Sequence, residues 1–211
     1  MYMKDELHVI SNGRMPFEEL ANIATEIESE IDYLHIRERE KSTKELYEGV
    51  EKLLNKGFPS SKLVINDRID IAILLNIRRV QLGYRSADMR SVKEKFSYLH
   101  VGYSVHSLEE AIVAFKSGAD SLMYGHLFQT NSKKGVPPRG LEEITEMAKQ
   151  LTIPITAIGG ITPNNTAEVL DTGATGIAIM SGILSAVKPN EQAKLYKETI
   201  RKWARNHEKN I

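Results

Sequence analysis

The 211-residue chain contains no cysteine. Disulfides, thiolate metal sites and cysteine nucleophiles are therefore excluded, and the composition suits a reducing cytosol, so a cytoplasmic protein is expected. There is no excess charge of either sign, since 28 basic residues meet 28 acidic ones. Nucleic acid, which favours a basic face, is not the expected main partner. No uninterrupted apolar run approaches the roughly 18 residues of a membrane helix, and the opening "MYMKDELHVIS" lacks the apolar stretch of a signal peptide. No membrane partner is expected either. Several catalytic signatures are missing as well. "SNGRMP" follows the first apolar run where a dinucleotide-binding fold would carry G-x-G-x-x-G. There is no nucleophile elbow, no H-E-x-x-H and no strand-end lysine of the Schiff-base kind.

What is present is a strict alternation of short apolar runs and helical patterns. The runs fall at 7–11, 32–38, 62–67, 79–83, 99–105, 121–128, 154–160 and 176–183; the helical patterns fall at 17–30, 43–56, 68–76, 88–96, 107–118, 141–151, 162–173 and 190–206. Each pair has the length of a βα unit, and the runs read as strands buried on both faces. An open doubly wound sheet also alternates, but eight repeats in this length favour a closed (β/α)8 TIM barrel, expected as a single domain over 1–211. "KSGADSLMYG" and "DTGATGIAIMSG" echo one another, each with a helix-ending glycine ahead of a strand.

Such barrels carry their active sites at the C-terminal strand ends. The polar residues there are Ser11, His35, Arg37, Arg39, Asn66, Asp67, Arg68, Ser104, His106, Tyr124, His126, Gly159, Gly160, Ser181 and Gly182. Four groupings carry chemistry. Gly159-Gly160 after the seventh strand and Ser181-Gly182 after the eighth have the form of a phosphate site, although the same glycines could serve only tight turns. In "HIRER", strand alternation places His35, Arg37 and Arg39 on one face, where guanidiniums would suit a carboxylate or phosphate; a solvated charge run is the plainer reading. In "INDRID", Asp67 could bind a metal or cap the next helix, while Asp88 in "GYRSAD" reads as a helix cap. In "SLMYGHLFQTNSKK", alternation puts His126 on the face of Leu122 and Tyr124. It is either a core histidine with a packed partner or an acid/base placed before Thr130, Ser132, Lys133 and Lys134.

With those residues on the page, the chain resembles the thiamine phosphate synthase superfamily over nearly its whole length. The shared marks are "LHIRER", "VINDRIDIAI", "VGYSVHSLEEA", "GADSLMYGHLFQT", "PPRGLEEI", "IPITAIGGITPNN" and "GIAIMSGIL". Within it the chain looks most like the TenI branch, the thiazole tautomerases. The synthase pattern has Gln-x-Arg-x-Lys where this chain has His35, Arg37 and Arg39. It has a metal carboxylate in a "GQED"-like turn where this chain has "GYRSAD", and proline where this chain has His126.

The resemblance implies aromatisation of a carboxylated thiazole ethyl phosphate by proton relocation, with His126 as the catalytic acid/base and neither metal nor cofactor. It implies that Gly160, Ser181 and Gly182 hold the phosphate and that Arg37 and Arg39 face the carboxylate. Ser104, Thr130 and Lys133 are further substrate contacts. The partner would be this small phosphate, and the assembly a homodimer. Two other readings stand beside it: thiamine phosphate synthase, coupling a thiazole phosphate to a pyrimidine pyrophosphate with Mg²⁺, and a non-catalytic regulator that binds a thiazole phosphate.

Overall fold

The computed structural model describes residues 5–133 and 135–208. Eight parallel strands close into a barrel in sequence order: β1 (Glu6–Ile10), β2 (Tyr33–Ile36), β3 (Leu63–Asn66), β4 (Arg79–Leu82), β5 (His100–Val105), β6 (Ser121–Gly125), β7 (Ile155–Ile158) and β8 (Gly176–Ile179). β1 pairs with β8 through Leu7↔Ile177 and Val9↔Ile179, which completes the (β/α)8 fold. Around it lie α1 (Phe17–Ile27), α2 (Thr43–Asn55), α3 (Ile69–Leu74), α4 (Met89–Lys95), α5 (Leu108–Lys116), α6 (Glu142–Gln150), α7 (Thr166–Asp171), α8 (Ser181–Leu184) and α9 (Pro189–Glu208). The one-turn α8 begins at Ser181, in the Ser-Gly turn after the eighth strand. "IMSGIL" continues an apolar run, and the alternation reading extends the eighth strand through it. None of the described helices is long and apolar enough to cross a membrane.

Strand period two divides the apolar residues between two layers. Leu7, Val9, Leu34, Ile36, Leu63, Ile65, Val80 and Val101 belong to the large core shared with the helices. Inside the barrel the apolar content is small: Ile10, Met123 and Ala178 cluster with Ile158 and Met180. The other inward positions are largely polar, and His8, His35, Gln81 and Thr156 are all buried. Helix starts follow the expected chemistry. Ser42 and Glu45 form a capping box on α2, and Asp88 and Ser107 accept from the N3 amides of α4 and α5.

The long α9 is tied to the barrel floor by Lys197, which meets the Asp32 carboxylate just before β2; Asp32 also accepts from the Leu7 amide at 2.9 Å. Both side chains of the pair are largely shielded, with 10% and 16% of their surface exposed. Removing one partner of such a pair leaves a charge stranded, so Lys197→Ala is expected to cost about 3 kcal/mol in a urea titration.

Buried histidines give the fold an acid limit. Burial, then Arg79, pushes His100 down from 6.5 to about 4, and burial with the neighbouring His8 lowers His35 in the same sense. Between pH 6.5 and 4 the unfolded chain therefore binds protons that the folded chain refuses. The urea midpoint is expected to hold above pH 6.5 and to fall through that window, and to fall less in His100→Gln.

Candidate active site

The mouth is built from the loops that leave the C-terminal strand ends. β2 stops at Ile36, so Arg37, Glu38 and Arg39 lie in a loop rather than on a strand. The alternation that placed His35 beside Arg37 and Arg39 fails there: His35 is turned into the barrel interior and bonds His8, Nδ1 to Nε2, at 2.9 Å. Arg37 remains at the mouth, its backbone N–H donating to the Ser11 hydroxyl at 2.8 Å. Glu38, which sequence reasoning passed over, is buried. Its Oε1 accepts from the Gly13 amide while its Oε2 has no partner among the described residues.

Asp67 follows β3 with φ 64, a left-handed conformation that aspartate tolerates better than most residues. It does not cap α3, whose cap position is Arg68, with no side-chain bond. Its carboxylate accepts instead from the Ser86 hydroxyl, which itself accepts from the Gly83 amide at 2.8 Å. Ser86 thus occupies the β4 turn where the resemblance pointed to an absent carboxylate. Ser104 faces inward from β5 and accepts from the Gln81 amide at 3.0 Å. His106 does not cap α5; its N–H donates to Glu110 while Ser107 caps. Tyr124 points outward, away from the mouth, and donates to Glu143.

β6 ends at Gly125, so the alternation argument for His126 also lapses one residue early. The ring is 4% exposed. Its Nε2–H donates to the Val136 carbonyl at 3.2 Å, and its Nδ1 is buried without a partner among the described residues. The loop after it doubles back, with the Arg139 and Gly140 amides donating to the His126 and Leu127 carbonyls. Lys133 lies in a short 3-10 turn of this loop, and Thr130 accepts from the Ser132 amide. Lys134 falls outside the described residues.

The two glycine turns have packing reasons of their own. A Cβ on Gly159 would lie 2.2 Å from that of His126, and one on Gly160 would lie 2.6 Å from the Gln129 carbonyl, with φ of 100° and 69° respectively. Gly182 gives way to the Tyr196 hydroxyl, which donates to the Ile161 carbonyl at 3.0 Å. Tyr196, on α9, was invisible to sequence reasoning; it clamps the β7 turn against the β8 turn. Ser181 and Gly182 open α8 at the exposed rim, where first-turn amides are free to meet an anion. Tyr196→Phe should lower stability by about 1 kcal/mol and raise KM for a phosphorylated substrate more than it lowers kcat.

Electrostatically the mouth is cationic. Partial burial, then Arg139, Arg37 and Arg39, hold the Lys133 ammonium below the usual lysine range. Burial and Arg39 lower Arg37, against the opposing pull of Asp67 and Glu38. Four cations therefore feel one another around two carboxylates. Among the described residues no three His, Asp or Glu side chains converge as a metal cage.

A closed (β/α)8 barrel with a cation-rich mouth and glycine turns after its last two strands has the form in which such barrels often carry a phosphate site. A family model described as thiamine monophosphate synthase matches residues 7–183. The chain belongs to this family of enzymes. A thiamine-phosphate synthase of Clostridium acetobutylicum is 35% identical over 184 residues, 86% of this chain and 87% of that one. One of Pyrococcus furiosus is 34% identical over 201 residues, 94% of each chain. The solved structure of thiamine phosphate pyrophosphorylase from Pyrococcus furiosus superposes with a TM-score of 0.82 at 29% identity, covering 95% of this chain and 98% of that one. These names overturn the first expectation. The thiazole tautomerase of the TenI branch, and with it the isomerase class, gives way to the synthase that stood as its alternative.

Proposed function

We propose that the chain is a thiamine phosphate synthase, coupling a thiazole phosphate to a pyrimidine pyrophosphate and releasing pyrophosphate. The observation that carries this reading is the cation excess at the mouth. Arg37, Arg39, Lys133 and Arg139 crowd closely enough to lower Lys133, which is more positive charge than one monophosphate needs and suits a diphosphate beside it. The relatives' names point the same way.

In this reading Arg37, Arg39, Lys133 and Arg139 clamp the diphosphate, and the turns carrying Gly160, Ser181 and Gly182 seat the thiazole phosphate. Ser104 and Thr130 contribute hydroxyls, and the His126 Nδ1 lone pair accepts from a substrate N–H rather than shuttling a carbon-bound proton. Mg²⁺ is commonly held by one or two carboxylates together with substrate phosphates. Asp67, oriented by Ser86, supplies one carboxylate, so the residues fit a metal that arrives with the diphosphate rather than one caged by protein. Bound there it would neutralise the leaving group. The clamp does the same from the protein side by presenting fixed positive charge where negative charge accumulates. The homodimer implied by the resemblance is read directly by light scattering.

Pyrophosphate release should stop in EDTA and return with Mg²⁺. Undiminished release in EDTA would contradict the placement of Asp67. Ser86→Asp, which adds a second carboxylate beside the first, should lower the Mg²⁺ concentration giving half-maximal rate.

A further inference from the structure

At the opposite end from the mouth, the barrel is not filled. A cavity of about 140 Å³ lies among the strand starts, lined by Glu6, His8, Tyr33, His35, Arg79 and His100, with Ser121 and Thr156 on its far wall. Barrel interiors are normally packed by layers of side chains. The cluster of Ile10, Met123 and Ala178 belongs to the same interior, and two inward glycines let neighbouring groups approach closely. A Cβ on Gly102 would strike the Gln81 amide at 2.3 Å, and one on Gly176 the Glu6 carbonyl at 2.8 Å.

The lining is unbalanced in two respects. First, the Arg79 guanidinium lies over the Tyr33 ring, 4.4 Å from its centroid, and makes no ion pair or side-chain hydrogen bond among the described residues. A guanidinium facing a cavity without an acceptor calls for an anion. The neighbouring carboxylate, Glu6, is taken by His8 Nε2 at 3.2 Å. Second, His35 is 2% exposed and its Nδ1 has no partner. His8 bonds His35, Nδ1 to Nε2, at 2.9 Å and meets Glu6 through its own Nε2, so the three side chains form one chain along the cavity wall. Asn66 adjoins the same ring, but its Oδ1 is unpartnered too.

We propose that this cavity is a second, non-catalytic site for a small oxyanion, of the class of inorganic phosphate or carbonate. Its charge answers Arg79. The Ser121 and Thr156 hydroxyls supply further donors; Ser121 already engages His100 at 3.1 Å. The other groups facing the histidine pair are Glu6, Tyr33, Arg79 and His100, with Asp120 and Lys93 behind His100. The volume is close to the roughly 150 Å³ that holds one benzene, so an ion of this class fits.

The test is a titration of the full chain with inorganic phosphate, followed by the ring ¹H–¹⁵N signals of its histidines. His8, His35 and His100 report the lower cavity and His126 reports the mouth. Phosphate should shift both groups. Arg79→Gln should weaken the lower response by on the order of tenfold while leaving that of His126 unchanged, as loss of a charge-assisted bond predicts. Ser121→Ala should weaken it less, and either variant's intact His126 response certifies the fold. Lower-cavity histidines that ignore phosphate, or that respond alike in wild type and Arg79→Gln, would overturn the site.

Discussion

Asp67→Asn is expected to reduce thiamine phosphate formation by about 10²–10³-fold, the range seen when one preorganised electrostatic group is removed from an active site. The substitution is chosen because it spares the fold. Asparagine tolerates the left-handed backbone that Asp67 adopts at φ 64, and its Oδ1 can still accept from the Ser86 hydroxyl. What disappears is the negative charge, the single carboxylate that can meet a metal carried by the diphosphate. The urea midpoint should scarcely move. A variant with wild-type turnover at saturating Mg²⁺ would show that the β3 turn does not serve the reaction.

The second large effect is structural and spreads to the site. Gly159→Ala should destabilise the chain by about 3 kcal/mol or more, combining a left-handed residue with a Cβ forced into the β6 loop. The obstacle is backbone and Cβ of His126, at 2.6 and 2.2 Å, not the movable end of a long side chain. Gly57 provides the control: its φ of +88° is comparable, but nothing lies within 4 Å of its Cβ, so Gly57→Ala should cost only about 1–2 kcal/mol. Thermal denaturation of the two variants separates strain from collision, and equal losses would refute the close approach. Because His126 leads the loop carrying Lys133 and Arg139, Gly159→Ala should also depress the reaction beyond its effect on folded fraction.

The barrel was legible in the sequence because strand and helix patterns alternate without exception, and period-two burial against long helices leaves an apolar trace. Reading a face from alternation worked only as far as each strand ran. β2 ends at Ile36 and β6 at Gly125, so His35 and His126 went astray for the same reason: hydrogen-bonded pairing stops before the apolar run does. Ser86, Arg139 and Tyr196 left no local signal, since each acts on a turn distant in sequence. The lower cavity was hidden by a sound rule. His8 and His100 sit at strand starts, the end that normally serves stability, and nothing in spacing reveals that the barrel is unfilled beside them. The activity was misread by weighing three substitutions, at His35, in the "GYRSAD" turn and at His126, above the many positions this chain shares with synthases.

The most direct measurement is the product itself. Purified protein is incubated with thiazole phosphate, pyrimidine pyrophosphate and Mg²⁺, and thiamine phosphate and pyrophosphate are quantified together. One pyrophosphate released for each thiamine phosphate formed, with neither appearing when either substrate is withheld, is the predicted result. Both substrates recovered intact, while the non-aromatic thiazole tautomer is consumed by the same preparation, would contradict it.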